Sequence, residues 1–235
     1  MTMRRAVIAA LLLCVPGMAI AADRQIPLGS FDRIRVEGPY KVQVLAGRSP
    51  RATVSGAADA LDGVEIRVDG RSLVVRKARD TLGAGWGPRR ATPVAVTVST
   101  LTVNAVSALA GSVVTVSAVK GDRVDLSVGG AGSIAVESAQ ATQLTATVIG
   151  PGAISVGGRA DRVRLTSSGT GTIDAEALEA GDLIARLDGA GEIQARARYT
   201  ATIANMGLGQ VTVAGRPKCR VDAPGGGTVT CGAAR

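Results

Sequence analysis

Gly130-Ala131-Gly132-Ser133-Ile134 is the first of six copies of a Gly-x-Gly-x-Ile/Val pattern in the second half of the chain. The other copies begin at Gly150, Gly169, Gly189, Gly207 and Gly225, so the first glycines are 20, 19, 20, 18 and 18 residues apart. A repeat of nearly constant length near twenty residues is typical of a solenoid, in which each repeat forms one coil and stacks on the next. The pattern therefore indicates an architecture, although it does not by itself indicate a function.

Apolar and polar residues alternate on both sides of each glycine pair. Six and four residues before the first glycine, and four and six residues after it, every copy has an apolar residue or a cysteine. This period of two is typical of strands that place alternate side chains in a core. We interpret each copy as a strand, a Gly-x-Gly corner, a second strand and a connection, with equivalent strands of successive coils paired in parallel. The predicted fold is all-β, a single-stranded parallel β-helix with coils of about 18–21 residues.

Two other meanings of a glycine-rich motif do not fit this chain. A calcium-binding roll requires aspartate two residues after the second glycine, where all six copies have isoleucine or valine. A dinucleotide-binding loop occurs once, between a strand and a helix, whereas this motif recurs in a region without a helical pattern. The residues after the glycines are therefore interpreted as core residues and not as ligands.

The N-terminus has the features of a Sec-type signal peptide. Arg4 and Arg5 precede an apolar stretch, and Ala19-Ile20-Ala21 is a typical cleavage site, so residues 1–21 are expected to be removed. A membrane anchor is the alternative, but the apolar stretch is short and contains Pro16 and Gly17. Lipidation at Cys14 is also disfavoured, because Leu13 stands where that signal requires a small residue. No later stretch is apolar enough to span a bilayer, so the protein is predicted to be periplasmic or secreted.

The rest of the chain is interpreted as one β-helix domain, residues 28–235. It comprises an N-terminal β portion at 28–78, a loop rich in glycine and proline at 79–93, and the repeat coils at 94–235. Within the first portion, Val64–Val68 and Ser72–Val75 are predicted to form a hairpin across Asp69-Gly70.

The two cysteines of the mature chain, Cys219 and Cys231, flank the last corner at equivalent inward positions. An even number of cysteines in an oxidising compartment favours a disulfide. We expect the two sulfurs to meet across the core of the final coil, which has a neighbour on one side only. A free redox-active pair is the alternative.

The chain resembles the bacterial "putative auto-transporter adhesin head" domain, also called the GIN domain. The resemblance depends on the opening Phe31–Gly38, the middle Leu61–Val75 and the glycine ladder, where that family typically has Ser-Gly-x-Gly-x-Ile. Only Ser168 retains the serine, and the first coil near Ala110-Gly111 is weak. The resemblance implies a right-handed parallel β-helix in an exported protein and brings no established catalytic residues.

The charges suggest an anionic partner. The signal peptide contains two arginines and no acid, so the mature net charge is 8 − 2 = +6. Outward positions before the corners carry six cations that form a candidate binding face for an acidic polysaccharide or another envelope component: Arg123, Arg162, Arg164, Arg186, Lys218 and Arg220. Trp86, beside Arg89 and Arg90 in the glycine-rich loop, is a further candidate contact, although a single aromatic more often packs against the fold. Export argues against nucleic acid as a partner.

The sequence contains no histidine, which excludes catalysis by histidine and the binding of a metal ion through histidine. We therefore predict a non-catalytic exported module with no cofactor and no metal, adhesin-like or scaffolding in role. The alternative is a polysaccharide lyase or hydrolase of the β-helix type, for which Asp174 and Glu176 are the best acid pair. End-to-end self-association is a third possibility, because the ends of a solenoid expose strand edges.

Overall fold

The computed structural model describes residues 22–56, 61, 63–78 and 94–233. The predicted signal peptide, residues 1–21, and the predicted glycine-rich loop 79–93 with Trp86 lie outside the described residues. The described residues form 16 strands of one sheet. In chain order these strands are β1 Ala22–Pro27, β2 Arg33–Glu37, β3 Lys41–Ala46, β4 Arg51–Gly56, β5 Val64–Asp69, β6 Ser72–Lys77, β7 Ala95–Thr100, β8 Ala105–Leu109, β9 Val113–Gly129, β10 Ser133–Ile149, β11 Ala153–Gly169, β12 Thr172–Gly189, β13 Glu192–Asn205, β14 Gln210–Gly215, β15 Lys218–Asp222 and β16 Thr228–Ala233.

Each coil of the repeat region is almost entirely strand. Strands β10 to β12 run from one Gly-x-Gly corner to the next, whereas β9 begins after Ala110-Gly111-Ser112. Each of these four strands pairs in parallel with the following strand. In the ladder between β10 and β11, Ile134 pairs with Ile154 and Leu144 pairs with Val163. The solenoid has about 6 turns, which confirms the predicted parallel β-helix. The connection expected between the two strands of a coil is itself strand.

Interruptions in the ladder divide each coil into three faces. In β10, the residues paired with β9 fall into the segments Ser133–Val136, Ser138–Ala141 and Gln143–Ile149. We call the stacks built on these three segments the first, second and third face. The third face precedes each Gly-x-Gly corner and the first face follows it.

The corners require glycine for two separate reasons. Gly150, the first glycine of its pair, has a φ of 102°, a conformation that a residue with a side chain rarely adopts. Gly171, the second glycine of its pair, lies so close to the preceding coil that a Cβ would be 2.7 Å from the carbonyl oxygens of both Gly150 and Gly152. The glycines thus allow successive corners to stack backbone on backbone.

The N-terminal strands continue the solenoid. Strands β2 and β3, joined at Gly38, pair in parallel with β8 and β9 and so extend the third and first faces. Beyond them the pairing becomes antiparallel: β5 pairs with β6 on the third face, while β4 pairs with β7 and β1 on the first. Asp69 pairs with Ser72, which confirms the predicted hairpin. Antiparallel strands therefore close the N-terminal end.

The C-terminal end is open. The inward positions of interior coils are fully buried, and Ile203 of β13 has a relative exposure of 1%. Val221 occupies the same column in the final coil and is 47% exposed, because no further coil covers it among the described residues. Cys219 and Cys231 form the predicted disulfide across this coil, with Cα atoms 6.3 Å apart.

Candidate functional site

The six cations that form the candidate binding face all lie on the third face, and all six are exposed. Strand β9 carries Arg123, β11 carries Arg162 and Arg164, β12 carries Arg186, and β15 carries Lys218 and Arg220. They project outward because they alternate with core residues such as Val163 and Leu165. Residues far apart in the sequence thus share one sheet surface.

Parallel register arranges these side chains in rows along the solenoid axis. One row consists of residues that pair in succession: Arg123, Gln143, Arg162, Asp182, Thr200 and Lys218. The next row is built in the same way: Asp125, Thr145, Arg164, Ile184, Thr202 and Arg220. Adjacent strands are about 4.8 Å apart, so cations in a row are separated by about 10 Å or more. Neutral and acidic residues fill the positions between them.

Arg162 and Arg164 form the centre of this surface. Together with Gln143, Thr145 and Asp182 they line a shallow cavity of 270 Å³. Neither arginine has an ion pair within the described part of the chain. A carboxylate or sulfate on a ligand could therefore accept hydrogen bonds from two guanidinium groups on one strand.

Arg186 is less available than these two arginines. Its Nε donates a hydrogen bond to Asp188 over 2.9 Å. This bond raises the pKa of Arg186 above that of a free arginine and commits its charge to an internal partner. Asp182 is also engaged, since its Oδ1 accepts a hydrogen bond from the Thr200 hydroxyl at 2.6 Å. The third face is consequently a mixed surface with a basic centre.

The two acids considered for catalysis are Asp174, on the first face, and Glu176, at the bend that follows this face. Asp174 is exposed, and its Oδ1 accepts a hydrogen bond from the backbone N–H of Glu176 at 3.1 Å. The ladder neighbours of Asp174 are Ser155 and Gln194, so neither adjoining coil supplies another carboxylate beside it. Among the described residues, no three or more Asp, Glu, Cys or His side chains are grouped to hold a metal ion. No helix in the described ranges is long and apolar enough to cross a membrane.

A second group of cations was not recognised in the sequence. Arg196, Arg198 and Arg216 line a groove of 640 Å³ on the second face, together with Glu176 and Glu179. The guanidinium of Arg198 lies 4.0 Å from Glu179 and 5.1 Å from the centre of the Tyr199 ring. We call Arg196, Arg198, Arg216, Lys218 and Arg220 the C-terminal basic cluster. In the sequence, this cluster is indicated by the stretch from Ile193 to Val221, which contains these five cations and no acidic residue.

A larger groove, of 670 Å³, lies at the N-terminal end of the third face. Its lining includes the small residues Ala105 and Ser107 of β8, with Arg33 and Arg35 on one adjoining strand and Asp125 on the other. Arg35 donates to Glu37 over 2.5 Å, so part of its positive charge is neutralised. Little in the sequence indicates this groove, because its two sides are brought together by pairing between distant strands.

Residues 30–217 match the protein family described as the putative auto-transporter adhesin, head GIN domain. The chain belongs to this family. The match covers the strands from β2 to β14, and it confirms the resemblance noted in the sequence. No match was found among curated proteins.

Solved structures of several bacterial proteins have a similar fold. A putative adhesin from Bacteroides fragilis superposes with a TM-score of 0.82 at 20% identity, covering 90% of this chain and 96% of that one. A putative adhesin from Parabacteroides merdae gives a TM-score of 0.69 at 16% identity, covering 92% and 98% of the two chains. A putative lipid binding protein from Parabacteroides distasonis gives 0.65 at 17% identity, covering 91% and 97%. These similarities show a common fold. The disulfide in turn fits an extracytoplasmic location.

Proposed function

We propose that this GIN domain is an exported, non-catalytic module of the cell envelope whose third face binds acidic polysaccharide. The observation that carries the proposal is the register of the coils, which gathers six cations from a stretch of almost one hundred residues, 123–220, onto one exposed surface. A rigid sheet with fixed spacing suits a polymer whose own charges repeat, because many weak contacts then act together. The periplasm or the cell exterior would bring such a polymer within reach.

Arg162 and Arg164 are expected to contribute most to this binding. They lie on one strand, they line the same cavity, and neither is held by an internal ion pair among the described residues. Arg123 donates to Gln143 at 3.3 Å and Arg186 donates to Asp188, so both would have to exchange a partner on binding. Lys218 and Arg220 would extend the contact to the final coil.

Reversal of the central charges tests the proposal. We expect Arg162→Glu with Arg164→Glu to weaken binding to a polyuronate at least tenfold, since two cations are lost and two anions are gained at the contact. The measurement is titration calorimetry or affinity electrophoresis with polygalacturonate and alginate, with a neutral glucan as the reference polymer. The matched control is Arg48→Glu with Arg51→Glu, which makes the same change in net charge at exposed positions of the N-terminal end.

Three outcomes would contradict the proposal. One is the absence of binding to either polyuronate, and another is an equal loss in both double variants, which would indicate attraction by net charge alone. The third is cleavage of the polymer, detected as new chain ends and abolished by Asp174→Asn, which would establish the alternative of a polysaccharide-active enzyme.

A further inference from the structure

Positive charge is concentrated in the last two coils. Residues 193–233 contain five cations and one acid, Asp222, so their net charge is 5 − 1 = +4. The predicted mature chain has a net charge of +6. Roughly one fifth of the sequence therefore carries two thirds of the excess charge, and the remainder of the protein is nearly balanced.

The fold draws these cations together at one edge of the solenoid. Ala197 pairs with Gly215 and Thr200 pairs with Lys218, so Arg198 and Arg216 occupy the same position in successive coils. Arg196 lies in the same groove. Glu179, which lines this groove with Glu176, also receives a hydrogen bond from Arg159 at 3.1 Å, which divides its charge between two arginines. Arg216, Lys218 and Arg220 have no ion pair within the described ranges.

The same two coils expose large apolar side chains. Leu208 is 78% exposed, Tyr199 is 56% exposed and Met206 is 41% exposed. Leu208 stands between the glycines of its corner, where the four preceding copies have Ala131, Pro151, Thr170 and Ala190. Val221 adds apolar surface on the uncovered final coil. Tyr199 lies beside Arg198, whereas Met206 and Leu208 lie at the corner that ends the third face of the same coil. Exposed apolar groups and a basic cluster on the same end of the solenoid together indicate an interaction surface.

We infer that the C-terminal end of the solenoid docks on an anionic lipid surface. Cations attract acidic headgroups, while leucine, methionine and tyrosine side chains lie favourably at the boundary between headgroups and acyl chains. A polysaccharide in water would contact the cations but would not cover Leu208 or Met206. A second copy of this end would oppose a charge of +4 with another of +4. Docking in this way would leave the N-terminal cap and the central third face directed away from the lipid.

Vesicle binding tests this inference independently of the glycan proposal, because its deciding residues are not part of the glycan set. Flotation of the mature chain is measured with vesicles of phosphatidylcholine alone and with vesicles containing phosphatidylglycerol. We expect binding only to the second kind, and Arg198→Glu with Arg216→Glu should weaken it at least about thirtyfold at low salt. The matched control is Arg162→Glu with Arg164→Glu, which changes the net charge equally on the third face.

A separate variant tests the apolar contribution. Leu208→Ser keeps the net charge and removes the most exposed large hydrophobic side chain of the described residues, so it should weaken vesicle binding several-fold and leave polyuronate binding unchanged. The inference is overturned if neither vesicle binds, if both double variants lose binding equally, or if Leu208→Ser has no effect. It is also overturned if light scattering shows that Leu208 and Arg216 mediate association between copies of the chain in place of lipid binding.

Discussion

Asn205 is fully buried in a column of the core that is otherwise largely apolar. Its Nδ2 donates a hydrogen bond to the carbonyl oxygen of Gly209 at 2.9 Å, and its Oδ1 accepts one from the N–H of Gly207 at 3.3 Å. Ser167, at the equivalent position two coils earlier, donates to the carbonyl oxygen of Gly171 at 3.1 Å. Both side chains therefore add hydrogen bonds to the backbone of a sharp corner, and in the corner of Ser167 the Gly171 carbonyl oxygen also accepts the N–H of Glu192 from the next coil. Buried polar residues in this column stabilise the corners and do not indicate a catalytic site.

Gly171, at a closely stacked corner, is expected to be irreplaceable. In Gly171→Ala the new methyl group would overlap the carbonyl oxygens of Gly150 and Gly152 and the side chain of Val148. Because backbone cannot move aside without breaking the ladder, we expect a loss of more than about 3 kcal/mol in the free energy of unfolding. Urea denaturation followed by circular dichroism measures this loss. Gly29→Ala is the control, since a Cβ at Gly29 has no neighbour within 4 Å; equal stability of the two variants would refute the stacking argument.

At the scale of the element, the last coil is a pair of short strands, β15 and β16, which pair on one side only within the described part of the chain. The inward side chains of this coil are only partly buried, so burial stabilises this coil less than the interior coils. The disulfide between Cys219 and Cys231 closes a loop with a sequence separation of 12. It therefore lies where the solenoid has least support from packing.

Removal of the disulfide should loosen this coil selectively. We expect Cys219→Ser with Cys231→Ser to lower the free energy of opening the final coil by about 3 kcal/mol in the chain-entropy model. Hydrogen exchange measured by mass spectrometry should then accelerate in β15 and β16, while β10 to β12 keep their protection. Reduction of the unmodified protein is the parallel experiment. Uniform acceleration along the whole chain would show that the terminal coil is not a separate unit.

The strands show which parts of the fold can be predicted from sequence and which cannot. Alternation around the glycines predicts the first and third faces, because their side chains keep a period of two across each corner. The second face is interpreted from sequence as a connection, since the alternation changes phase where the chain bends, near Glu137 and again near Thr142. Pairing of β2 with β8 is also invisible in the sequence, because these strands lie about seventy residues apart and the corner at Gly38 lacks the second glycine.

At the scale of the whole molecule, the same limits apply to the surface. The outward cations of the third face follow directly from the alternation, and the structure places all six where the alternation predicts them. Arg198 and Arg216 were missed, because they lie at the bend between the second and third faces, outside the columns that the repeat defines. The end of a solenoid thus has properties that its repeat does not encode: an open edge, an uncovered core column and an unbalanced charge.

The charge of the molecule also predicts how its binding should respond to solution conditions. The chain has no histidine, and histidine is the only side chain whose ordinary pKa lies between 5 and 8. The charge of the cationic surfaces should therefore stay nearly constant between about pH 5.5 and about pH 8. Affinity for polyuronate and for anionic vesicles should accordingly vary less than about twofold over this interval at fixed ionic strength.

Salt, unlike pH, should change the affinity strongly, because the screening length of exposed charges falls from about 10 Å at 0.1 M to about 3 Å at 1 M. Raising sodium chloride from about 50 mM to about 0.5 M should weaken polyuronate binding at least tenfold. Vesicle binding should keep a larger share of its affinity, since burial of Leu208, Met206 and Tyr199 does not depend on salt. Parallel titrations of the two ligands over this range measure the difference between the slopes. Equal slopes would mean that the apolar residues of the C-terminal end take no part in docking. In the pH experiment, a steep dependence of affinity on pH would mean that the binding surface includes a titrating group other than the arginines and the lysine of the third face and the C-terminal basic cluster.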